Sequence, residues 1–262
     1  MVSAAIWAAL GQAALLVGAV LCWRFPTLTR PRWLGLIMAF GAGAVICAVT
    51  TDLVAEAYRA SGPKATGLGL ALGAIGFFVI TGLLERRGDS ERPEAPLEAA
   101  AEVSLDAPEL ESLEQGHGAS PTEARNLTIG MVLDGIPESI AIGLTVFSGT
   151  VSVSLVAAVF LAGLPEAIGV AAALLAGGIA ISRILLRFAG IVVVGAVSGL
   201  VGYSVLSAAP AASVSIIQGI AAGAMIVVVV NEMIPIAVRG TGRWAGLAAA
   251  GGFALSAFLA IH

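Results

Sequence analysis

The sequence predicts an all-α polytopic membrane protein with eight transmembrane helices, and three observations carry that prediction. The chain is 58% hydrophobic and only 11% charged, with a mean hydropathy of +1.00, against about 45–50% apolar and about 25% charged residues in a soluble domain. Apolar runs of spanning length, roughly 20 residues, recur along all but one segment of it. Its 33 glycines suit helices that pack closely in lipid, where small residues let backbones approach. Nucleic-acid binding is excluded, because the net charge is -4 and no basic stripe is present to neutralise phosphates.

Taken in order, the predicted spans cover about 3–23, 33–56, 66–84, 126–147, 151–180, 185–206, 213–236 and 243–261. No cleavable signal peptide is expected, since residues 1–5 carry no basic group and the first apolar run is of full span length. Between the third and fourth spans, residues 85–125 hold 11 acidic and 4 basic residues and four prolines, with almost no aromatic content. Such a stretch cannot bury enough apolar area to order itself, so a mobile linker is expected. Cys22 and Cys47 lie in or beside apolar runs and read as free thiols. Eleven of the 13 basic residues fall in loops on one side of the predicted spans, leaving Arg59 and Lys64 on the other. The positive-inside rule therefore predicts a multi-pass protein of the cell membrane with both termini extracytoplasmic.

The ends of the chain carry an internal repeat. Residues 40–62 align with residues 220–242 without gaps at an offset of 180. Gly43 meets Gly223, Ala44 meets Ala224, Arg59 meets Arg239 and Gly62 meets Gly242, while the one acid deep in each run coincides, Asp52 with Glu232. The second and seventh spans run in opposite directions, so the repeat is inverted, an arrangement typical of secondary transporters. A second echo links Ile136-Pro137-Glu138 in the fourth span with Leu164-Pro165-Glu166 in the fifth.

Three acids, Asp134, Glu138 and Glu166, fall near the predicted bilayer midplane. An ionised side chain there costs at least ~2.5 kcal/mol, and no Lys or Arg lies at matching depth. Asp134 and Glu138 are four residues apart and share one helical face, about 6 Å from one another. Pro137 and Pro165 cannot donate to the carbonyls of Leu133 and Leu161. Loose carbonyls within a membrane are tolerated where they line a wet or liganded cavity. Together these groups predict a site for a hard or borderline cation, with proton relay as a variant because crowded carboxylates disfavour each other's ionisation. Asp52 toward the outer end of the second span, and Asn231 and Glu232 toward the inner end of the seventh, extend the acids into a pathway. An enzyme is not expected: Ser139 and His117 have no supporting acid, and Asp134 and Glu138 on one helix suit joint ligation better than opposed acid–base work.

At these residues the sequence resembles the ZIP (Zrt-, Irt-like protein) family of divalent metal transporters. The resemblance spans most of the chain, and rests on the Pro-Glu cores of Ile136–Gly143 and Leu164–Ala171 and on Gly223-Ala224-Met225 leading to Asn231-Glu232-Met233-Ile234-Pro235. It implies eight helices, with the N- and C-terminal three-helix units related by the inverted repeat around helices four and five. It further implies passage of zinc, manganese, iron or cadmium toward the cytoplasm by an elevator-like or rocking motion, the metal being cargo and no cofactor being required. The family's His-Asn pair before the fourth-span Pro-Glu is here Asp134 and Gly135, its fifth-span polar positions are Ala162 and Gly163, and its His-rich loop is acidic with one histidine, His117. The expectation is a single site of carboxylates and carbonyls, which favours harder metals such as manganese, iron or magnesium. Two other functions use the same acids: a proton-coupled transporter of another cation, and a membrane metal sensor or scaffold that binds without transport. The Gly- and Ala-rich first, third and eighth spans suit packing within one chain or in a homodimer, and the bilayer is the expected surrounding.

Overall fold

The computed structural model describes residues 2–89, 121–147, 151–207 and 210–261, and within them the chain is all-helical. The first apolar run is two helices, α1 (Val2–Gln12) and α2 (Ala14–Arg24), jointed at Ala13, whose N–H bonds the carbonyl of Leu10 at 3.3 Å in a tighter turn. Next come α3 (Pro31–Ala48), α4 (Ala55–Asp89), α5 (Pro121–Phe147), α6 (Val153–Ala176) and α7 (Ile181–Ser207). The chain ends in α8 (Ala211–Val228), α9 (Ile234–Thr241) and α10 (Trp244–Ile261). Of the predicted linker, residues 85–89 and 121–125 are helical, and residues 90–120, His117 among them, lie outside the described residues.

Seven helical runs among the described residues are long and apolar enough to cross a membrane, where the sequence predicts eight. The difference lies at one residue. Pro31–Leu83 forms a single run of 53 residues, about 80 Å long if it were straight against a hydrocarbon core of about 30 Å. It is broken at Gly62, whose φ of 74° and ψ of -176° are not helical. The loop expected around residues 57–65 is therefore reduced to one glycine, and Arg59 and Lys64 sit in helix on either side of it. Residues such as Phe78, Val193 and Leu247 are exposed on α4, α7 and α10. An apolar surface of this kind suits a lipid boundary rather than water.

The repeat detected in the sequence reappears in the backbone. α3 passes into a π-helical turn at Val49–Val54, and 180 residues later α8 passes into a π-helical turn at Val229–Met233. Each turn carries the matched acid, Asp52 or Glu232. Each unit then ends on a left-handed glycine, Gly62 or Gly242 (φ 55°). Two wide turns at equivalent positions are notable because π-bulges are rare and concentrate at functional sites.

The units also pack alike: α10 lies against α3, and α4 lies against α8. A Cβ on Gly43 would run into the Ala249 backbone, and one on Gly223 into the Leu70 backbone. Gly252 meets Phe40 and Gly73 meets Ile220 in the same manner. Direct backbone approach of this sort is how helices gain dispersion contact in lipid, where no hydrophobic effect draws them together. Gly43→Val and Gly223→Val should each lower stability by at least ~1–3 kcal/mol, read as thermal unfolding in detergent. Gly246→Val, where nothing lies within 4 Å, should leave it unchanged.

Candidate functional site

Two proline-bearing helices place the acids. Pro137 sits inside α5 and Pro165 inside α6, each followed directly by the Glu that the sequence singles out. Both helices continue through the proline, so the carbonyls of Leu133 and Leu161 keep no intrahelical donor from it. Asp134 and Glu138 come from successive turns of α5, Glu166 from α6, and Glu232 from the π-helical turn after α8. These four acids line one cavity, with Met38 of α3 and with Ala162, Val228, Met233 and Ile236. The cavity measures about 30 Å³, room for an ion or one or two waters. No Lys or Arg is in its wall. Carboxylates lining an apolar cavity favour nearby positive charge, from a cation or from protons.

The arrangement differs from the expectation in three respects. Glu232, expected toward the inner end of a pathway, lines the same cavity as the three midplane acids. Asn231 faces outward and is exposed, since the wide turn directs the neighbouring Glu232 inward. The wall is also not lined by acids alone: Met38 and Met233 are among its residues. The four acids share the cavity without forming a ready-made chelate. Among the described residues, no three His, Cys, Asp or Glu side chains stand close enough together to hold a metal ion.

Asp52 lies elsewhere, in the Val49–Val54 turn. Its carboxylate accepts hydrogen bonds from the hydroxyls of Ser152 and Ser154, and from Thr51 Oγ1 at 2.9 Å. Ser152 is also the N-cap of α6, accepting from the Leu155 N–H at 3.0 Å. The acid is thus held at the positive end of a helix dipole, a favourable place for negative charge.

Sequence reasoning missed Gln12. Its side chain is buried at 4% exposure, and its Nε2 donates to Glu138 Oε2 at 3.2 Å and to the Gly135 carbonyl at 3.4 Å. The joint at Ala13 ends α1 at this residue. Two glycines make the slot: a Cβ at Gly195 would lie 2.7 Å from Gln12 Cγ, and one at Gly135 would lie 3.1 Å from its Oε1. The available signal was a lone amide in the first apolar run, AALGQAALLV, costly to bury unless it finds a partner.

The chain matches no protein-family model, and no curated protein is significantly similar to it. The reading of the site therefore stands on its geometry and chemistry.

Gln12→Met keeps the bulk of the side chain and removes the donor to Glu138. It should lower stability by about 1–3 kcal/mol, measured as thermal unfolding in detergent. A melting temperature equal to that of the unaltered protein would show that the bond contributes nothing.

Proposed function

We propose that this protein is a divalent-cation transporter of the ZIP type, carrying metal through the cavity between α5 and α6. The observation that carries the reading is the convergence of Asp134, Glu138, Glu166 and Glu232 on one small cavity whose wall holds no basic residue. A cation is the occupant such a wall favours. Eight crossings follow when Gly62 is taken as the reversal between the second and third, and the alternation of directions makes the repeated units inverted. The positive-inside rule then places both termini outside and the Met38 and Ile236 side of the cavity toward the cytoplasm, consistent with import.

The donor set narrows the cargo. Four carboxylates favour manganese and iron, with zinc and cadmium as borderline alternatives. Magnesium fits less well, because it keeps its waters and demands near-octahedral oxygen geometry. The metal is substrate here, entering and leaving. A site that must release its occupant has no need of the closed four-ligand geometry of structural zinc. The same acids allow a second reading, a membrane metal sensor that binds without moving its ligand.

Uptake by the purified protein in liposomes, offered zinc, manganese, iron, cadmium and magnesium, separates these readings. Transport predicts selective flux that falls roughly 100-fold or more in Glu138→Ala and Glu166→Ala, beyond the 10–100-fold typical of losing an outer-shell partner. Metal binding without flux would establish the sensor, and flux untouched by both substitutions would displace the site.

A further inference from the structure

Away from the midplane acids, the α3–α10 pair carries a second cavity. Gly43 and Ile46 of α3 and Ala249, Ala250 and Phe253 of α10 line about 320 Å³ between them. No polar side chain is in this lining, and the cavity opens away from the protein, since Ile46 and Phe253 are exposed. It is a cleft beside the point where the Gly43 and Ala249 backbones meet.

Following the same faces toward the start of each helix leads to arginine. Arg32 is 11 residues before Gly43, about three turns, and Arg243 is seven before Ala250, about two turns, so each shares a face with its residue of the cleft. The two starts lie at one end of the pair, because Gly35 packs against Gly240 and Thr241, and Gly240 against the Pro31 backbone. Arg32 and Arg243 are exposed, and no acid lies within ten positions of either along the chain. The Arg243 guanidinium sits 5.8 Å from the centre of the Trp244 ring. Trp33 and Trp244 are both exposed, as in an aromatic belt at headgroup depth. On α10, a Cβ at Gly246 would meet nothing within 4 Å, so the strip joining Arg243 to the cleft is open. The cleft begins about 9 Å and ends about 15 Å beyond Arg243 along the helix. That depth lies within one leaflet, about 15 Å of hydrocarbon.

We propose that the cleft holds an acyl chain of one anionic phospholipid whose phosphate is bound by Arg32 and Arg243. Guanidinium groups pair with phosphate oxygens in a fixed fork geometry. The cleft has room for about ten methylenes, if each takes up about as much space as a liquid water, roughly 30 Å³. The positive-inside rule puts this end of the pair at the cytoplasmic leaflet, where anionic lipids give a negative surface. A second copy of the chain suits the face less well. A two-fold contact there would set the arginines of the two chains against one another. The site stands apart from the transporter reading and does not depend on it.

The test is native mass spectrometry of the full chain, purified in detergent and offered phosphatidylglycerol or phosphatidylcholine with identical acyl chains. One phosphatidylglycerol is expected to stay on each chain, with phosphatidylcholine held roughly tenfold more weakly. Arg32→Gln combined with Arg243→Gln should weaken phosphatidylglycerol retention roughly tenfold or more. Ala250→Trp fills the cleft, keeps both arginines and should weaken retention of both lipids. Arg183→Gln combined with Arg187→Gln removes the same charge from the exposed start of α7 and should change neither. All five positions are exposed, so each variant is expected to unfold as the unaltered chain does when no lipid is added. Equal retention of the two lipids would overturn the site, as would a loss in the α7 variant matching that in Arg32→Gln with Arg243→Gln. Retention untouched by Ala250→Trp would place the lipid elsewhere. Chains that pair with one another, and cease to pair in Ala250→Trp, would make a second copy the occupant and overturn the proposal.

Discussion

Placing four carboxylates around one small cavity inside apolar helices is the constraint on which the rest of the structure depends. The cavity wall holds no basic residue, and positive charge there, as a cation or as protons, would be favourable. Around it, the helices depart from regular geometry where a regular helix would not serve. Pro137 and Pro165 each precede a site glutamate and free a carbonyl near it. The joint at Ala13 ends α1 at Gln12, whose amide donates to Glu138. The wide turn at Val229–Met233 directs Glu232 into the cavity while Asn231 faces outward.

The internal repeat gives the wide turn at Val229–Met233 a counterpart at Val49–Val54. One unit, a helix ending in a π-helical turn and closing on a left-handed glycine, occurs twice. Each copy is braced by a glycine-rich helix at direct backbone contact. The copies share a design and differ in their neighbours: one wide turn borders the cavity, and the other is tied by Asp52 to the first turn of α6. A pair of equivalent elements is compatible with the proposed transporter, since transporters built on inverted repeats place their site between such units. The direct glycine contacts suit such a device, since close-packed interfaces favour discrete arrangements over continuous deformation.

Much of this was legible in the sequence, for identifiable reasons. Apolar run length marks crossings because the bilayer sets it, and Asp134, Glu138 and Glu166 stood out because charge at that depth is costly. The repeat was legible through matched costly residues, Asp52 with Glu232 and Gly62 with Gly242. What escaped depends on contacts between distant segments. Gln12 meets Glu138 across 126 positions of chain, and periodicity gives the face of a residue but not its partner. Met38 and Met233 lie nearly two hundred positions apart, and only the fold brings both to the cavity wall. The π-helical turns leave no local signature, so Glu232 read as the end of a pathway instead of a wall of the site. At Gly62 a single non-helical residue interrupts one helical run, a break that hydropathy cannot resolve.

The central claim is that one divalent cation occupies the cavity formed by Asp134, Glu138, Glu166 and Glu232. Anomalous diffraction from crystals grown with cadmium tests it most directly, because it locates the ion without reference to transport. The account predicts a single membrane-buried peak within bonding distance of carboxylate oxygens from both α5 and α6. A buried peak at any other place, or cadmium confined to the protein surface while the cavity stays empty at saturating metal, would contradict it.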